Sequence, residues 1–373
     1  LVGSVTPEGI HPLSILGFSS SRLKVGVGGC SLEETSYPYE LSMTGPGEGK
    51  SREEVFNSAR EAAKRATQRA LEDAGESAER KPRFVLISGA TYLLQGTLKN
   101  PIEERYIEGV ESVVGKDVPI IGGLAADSLA QGNEKVFVND KVYDFGSVSV
   151  AVVYTDLKVG LAGDIRVGYS FLGGFTPTTK KATVTRAEGH LLYELDGRPC
   201  AEVYDEWTEG ALGERINTTE WVIDYTALHP LSEKISEEGR VPGYYNKLIH
   251  YFNNPEKGLC KVACEVEEGD VLYLLEGTPN MFVNRGALTA RLARAEAQLS
   301  RDEIAGGYMV FCAGCFLAID PEDYPRISNA INDALGGAPF IGGYEFGGFG
   351  SFLGVKENVY TTQMCSFLIF GKN

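Results

Sequence analysis

Apolar positions along the chain alternate between short unbroken runs and longer stretches of helical period, and that order occurs twice. Residues 51–74 place Val55, Ala59, Ala62, Ala66, Ala70 and Ala74 at helical spacing. Ser51 with Glu54 forms a capping box at the start, and Gly75 stops the helix. So many alanines predict close packing on a sheet. Residues 84–88 then read as a buried strand and 101–114 as a second helix. Pro119 opens the run Ile120, Ile121, which ends in the pair Gly122, Gly123. The same sequence of elements returns as a helix at 284–299, a run at 308–312, a helix at 321–335, and Pro339, Phe340, Ile341 leading into Gly342, Gly343 and Tyr344. Proline fits the first position of a strand, where no ladder hydrogen bond is lost. The glycines let the backbone turn sharply or approach a neighbour closely.

Strand-like sequence follows both copies, at 135–138 and 148–154 in one and at 364–370 in the other. The pattern predicts an α/β protein of two tandem lobes, residues 1–175 and 176–373, related by a degenerate duplication. Each lobe is expected to be a mixed sheet flanked by helices, with matching glycine turns at Gly122 and Gly342. Outside the repeats, 23–27, 183–185 and 271–275 read as strands, 36–50 and 173–179 as loops, and 201–206 as a short helix. Residues 217–257 are polar and aromatic with no clear period.

A chain of 373 residues exceeds the usual size of one core, which agrees with two lobes. Asp and Glu number 51 against 35 Lys and Arg, a net charge of −16. This balance argues against nucleic acid or anionic lipid as partner, since both need a basic surface. No apolar run reaches the roughly 18 residues of a membrane span. Seven scattered cysteines do not resemble a disulfide framework, so a reducing intracellular setting is expected.

Chemistry-bearing motifs are sparse. Residues 45–51 approach a phosphate-binding loop, but Thr44 stands where its first glycine belongs, and the stretch reads as a loop before a helix cap. Cys312 and Cys315 have redox-pair spacing, yet they close an apolar run, and the next helix is expected only near Pro321. A zinc site would need Cys260 and Cys264 as a second pair; buried structural cysteines are the expectation, with no metal and no cofactor. His11, His190, His229 and His250 show no ligand spacing. Asp127 and Ser128 follow the first glycine pair, where strand-end loops bind ligands or simply cap a turn. Tyr344 and Phe346 lie among glycines after the second. The candidate ligand-binding or assembly loop therefore comprises Gly122, Gly123, Asp127, Ser128, Gly342, Gly343, Tyr344 and Phe346, with no catalytic residue.

Several stretches together resemble the FIST family, a two-part (N and C) sensory module for small ligands. They are residues 122–127, the Leu195-Asp196-Gly197-Arg198-Pro199 signature at the join, Cys312 to Cys315, and 339–348. Cys315 stands where the family has arginine, and Gly347-Gly348 where it has Gly-Glu. Arginine and glutamate are the charges expected to recognise an amino-acid-like ligand, so their replacement points to a non-enzymatic, self-assembling scaffold that pairs with copies of itself in a sheet or tube. A weaker, overall resemblance to algal pyrenoid shell proteins implies a chloroplast setting for such a scaffold. The alternative is a FIST-type sensor holding a small molecule such as an amino acid.

Overall fold

The computed structural model describes residues 17–36, 51–90, 102–125, 134–144, 146–155, 165–235, 243–253, 258–316, 318–352 and 357–372. Two of its sheets carry the repeat. In the first, Ile120–Leu124 runs parallel to Phe84–Ala90, which is antiparallel to Ser147–Tyr154, itself antiparallel to Lys24–Ser31. In the second, Phe340–Glu345 runs parallel to Ile304–Cys312, which is antiparallel to Cys365–Gly371, itself antiparallel to Val167–Leu172. Helices Arg52–Ala74 and Glu103–Val114 serve the first sheet, and Pro279–Glu296 and Tyr324–Ala334 serve the second. Gly122 stands opposite Ile87 and Gly342 opposite Met309, in the same strand of each repeat. The two glycine pairs are topologically equivalent.

Side-chain alternation along the strands builds the layers. Val85, Ile87, Val148, Val150 and Val152 point into a core with helices Arg52–Ala74 and Glu103–Val114. Their neighbours Phe84, Ile121 and Val153 point the other way and meet Val167, Leu368 and Phe370 of the second sheet. Met309, Phe311, Phe367 and Ile369 turn outward to Phe282, Ala290, Ile327 and Ile331. The result is helix, sheet, sheet, helix. Helices cover only the outer face of each sheet, whereas the apolar pattern alone suggested flanking without a side. A core strand buried on both faces reads the same whether the second cover is a helix or a sheet.

Matched glycines set the spacing of the outer layers. A Cβ on Gly28 would lie 2.1 Å from the Ala66 carbonyl oxygen, and one on Gly168 would lie 1.9 Å from that of Ala293. The alanine-rich helices can therefore press directly on the sheets.

Between Val167–Leu172 and helix Pro279–Glu296 the chain makes a third, antiparallel sheet. Its order is Tyr244–Lys247, Leu231–Lys234, Val271–Glu276, Thr176–Glu188, Leu191–Leu195, Leu259–Val262, Ile249–Asn253. Leu192, Leu195, Val203, Tyr204, Leu231, Phe252 and Leu272 give it a core of its own. Cys200 and Cys260 are joined by a disulfide there. This departs from the expectation of unpaired cysteines, because residues 60 apart in sequence meet only through the sheet. Beyond the second glycine pair, Gly348–Ser351 and Asn358–Thr361 leave the second repeat and extend the first sheet.

Candidate ligand site

In sheets of this kind ligands gather at the carboxyl ends of parallel strands. Here those ends are Cys312 and Glu345. After Cys312 the chain turns at once into a helical turn, Ala313–Phe316, rather than waiting for Pro321. The Cys312 thiol is buried, yet a hydrogen bond from Cys315, joined by the backbone N–H groups of Gly347, Gln363 and Gly314, brings it down to about 6. The Cys315 thiol is pushed far up, chiefly by burial.

Arg285, from helix Pro279–Glu296, reaches this corner and is 2% exposed. Its Nη1 donates to the Gln363 carbonyl oxygen and to Cys315 Sγ, each at 2.7 Å. Among the described residues its Nε and Nη2 have no hydrogen-bond partner. The guanidinium carbon sits 4.2 Å from the Phe282 ring centre and 4.8 Å from that of Phe175. Among the described residues no carboxylate pairs with it. A desolvated cation held between two rings with N–H groups to spare is built to receive an anion. Sequence reading passed over Arg285, because a charge on a helix is ordinarily taken for its wet face.

Glu345 lies on the opposite face of its strand, at the seam between the two sheets. A Cβ on Gly123 would lie 2.1 Å from Glu345 Oε2, so Gly123 makes room for the carboxyl. Burial pushes that carboxyl up to about 7 against a hydrogen bond from Tyr308, and its Oε2 has no partner among the described residues.

The sequence-predicted residues divide. Gly122, Gly123, Gly342, Gly343 and Tyr344 lie inside strands, not in turns. Their role is close approach: a Cβ on Gly122 would lie 1.7 Å from the Ile87 carbonyl oxygen, and one on Gly342 would lie 2.7 Å from Met309 Cε. Tyr344 is 41% exposed and packs on Phe316, with ring centres 3.9 Å apart. The Phe346 N–H donates to the Leu124 carbonyl at 3.1 Å, tying the second glycine strand to the end of the first. Asp127, Ser128 and residues 45–50 fall outside the described residues.

Two concavities lie elsewhere. One of about 680 Å³, lined by Arg83, Asp117, Arg166, Tyr169 and Glu296 among others, sits at the amino ends of the first sheet's parallel strands. Another of about 540 Å³ lies beside helix Cys200–Trp207. Neither includes a predicted site residue.

Residues 1–198 match the FIST N domain, and residues 201–351 match the FIST C domain. The chain belongs to the FIST family. FIST domains are often sensory modules of signal transduction. A 96-residue stretch is also 36% identical to an uncharacterized protein, MJ1623, of Methanocaldococcus jannaschii, covering 25% of this chain and 17% of that relative. In this FIST chain a guanidinium from helix Pro279–Glu296 lies beside Cys315, and the Glu345 carboxyl lies against Gly123 on the other face of its strand. No helix among the described residues is long and apolar enough to cross a membrane.

Proposed function

We propose that the chain is a non-catalytic FIST-type module that binds a small anionic ligand, with Arg285 as its recognition group. The observation that carries this reading is the buried guanidinium with unpartnered Nε and Nη2. A carboxylate offers two oxygens in the geometry that those N–H groups match. Phe175 and Phe282 exclude water from the contact and so strengthen it. The Gly173–Gly174 segment packs over the group: a Cβ on Gly174 would lie 3.7 Å from Arg285 Nε. Entry of a ligand on this reading requires that segment to shift. Calorimetry with a panel of carboxylates and amino acids tests it, since a ligand at 100 times its Kd stabilises by about 2.7 kcal/mol. Failure of every carboxylate to bind, or equal binding by Arg285→Met, refutes it.

The scaffold reading has one feature in its favour. Phe340–Glu345 ends the second sheet, and such an edge can template pairing with another copy. Sedimentation at high concentration decides this, and a strict monomer removes it. The pyrenoid and chloroplast setting finds no support in the comparisons.

A further inference from the structure

Away from Arg285, helix Glu103–Val114 begins against the third sheet. There Glu103 and Glu104 face His190, which occupies the turn between Thr176–Glu188 and Leu191–Leu195. One oxygen of each carboxyl and one ring nitrogen of His190 all lie within 4.8 Å of one another. Glu103 is 8% and His190 5% exposed. Two atoms of this trio have no hydrogen-bond partner among the described residues, His190 Nε2 and Glu104 Oε2.

The remaining contacts orient the trio. The Ile102 N–H donates to Glu103 Oε2 at 2.9 Å. Glu104 Oε1 accepts from the Glu265 N–H at 3.2 Å and from the Tyr245 hydroxyl at 3.4 Å. Buried Lys261 places its Nζ 2.8 Å from His250 Nδ1, and its charge also acts on Glu103. Arg105 is engaged by Glu265. Two buried carboxyls side by side are costly unless a cation or a proton joins them.

We propose that Glu103, Glu104 and His190 form a site for a divalent transition-metal ion of the zinc class, pinning the first repeat to the third sheet. One nitrogen and two carboxylate oxygens suit zinc, manganese or ferrous iron, whereas calcium takes six to eight oxygens. Oxygens held by Tyr245 and backbone N–H groups are the kind of outer contacts that fix ligating carboxylates. Donor atoms around a tetrahedral ion are about 3.3 Å apart, so closure needs side-chain movements of about 1.5 Å at most.

The test uses the full chain, stripped with EDTA and titrated with zinc chloride, with cobalt(II) as a spectroscopic probe. One equivalent bound by calorimetry, a raised melting temperature, and cobalt absorption without a thiolate charge-transfer band are expected. Glu104→Gln and His190→Gln should each weaken zinc at least about tenfold. No zinc binding by the wild-type chain overturns the proposal, as does wild-type affinity in a folded His190→Gln variant. A thiolate-to-cobalt band overturns it too, because it moves the metal to the cysteines. If the variants do not fold, the cobalt spectrum and stoichiometry of the wild-type chain decide alone.

Discussion

Replacing Arg285 with methionine separates a recognition group from a structural one. The guanidinium gains about 1.5–3 kcal/mol from its bond to the Gln363 carbonyl. Its two ring contacts add about 1–2 kcal/mol each in a desolvated site. Against this stand several kcal/mol for burying the charge and about 1–3 kcal/mol for each unmade N–H bond at Nε and Nη2. The two sides nearly cancel. Methionine keeps most of the stem packing and lays its sulfur against Phe175 and Phe282. Arg285→Met should therefore leave the stability of the unliganded chain within about 2 kcal/mol of wild type while abolishing anion binding. Urea denaturation followed by circular dichroism measures the first, and calorimetry the second. A loss of about 3–5 kcal/mol would show that the cation holds the fold together, and the recognition role would fall with it.

Three further outcomes are expected. Gly28→Ala and Gly168→Ala should each destabilise by about 1–3 kcal/mol in urea titrations, because the new methyl meets helix backbone at 2.1 Å and 1.9 Å and the helix must move; wild-type midpoints would refute the close packing. Glu345 titrates near 7 when folded and near 4.5 when unfolded, so its contribution is whole below about 4.5 and is lost as pH rises through 7, by up to about 3 kcal/mol. Glu345→Gln should accordingly lose less stability than wild type between pH 5 and pH 8, and identical pH profiles would refute the assignment. Reducing Cys200–Cys260, which closes a loop of 60 residues, should lower stability by up to about 4 kcal/mol, and an unchanged urea midpoint in dithiothreitol would count against the bond.

The duplicated frame was legible because its elements are long and periodic. Ser51 to Gly75 shows its cap, its alanine stripe and its stop without help from the rest of the chain, and the structure places the helix at Arg52–Ala74. The third sheet was legible only in part: its strands around 183–185 and 271–275 and its helix near 201–206 showed, and the others did not. Leu231–Lys234 and Tyr244–Lys247 are four residues each, too short to show a period, and their aromatics and lysines look like loop. The site was less legible still. Gly122 and Gly123 suggest either a turn or a close approach in sequence, and it is the close approach that holds, since their missing side chains admit Ile87 backbone and the Glu345 carboxyl. Arg285 and His190 are ordinary in sequence, and they become candidates only when burial leaves their nitrogens without partners.

The late strands Gly348–Ser351, Asn358–Thr361 and Cys365–Gly371 finish two different sheets. During synthesis, neither repeat has its full complement of strands until nearly all the preceding chain has left the ribosome. The first repeat waits through the whole translation of the third sheet and the second repeat with two neighbours still missing. Both sheets thus close late and close together, which favours a single collapse over assembly lobe by lobe.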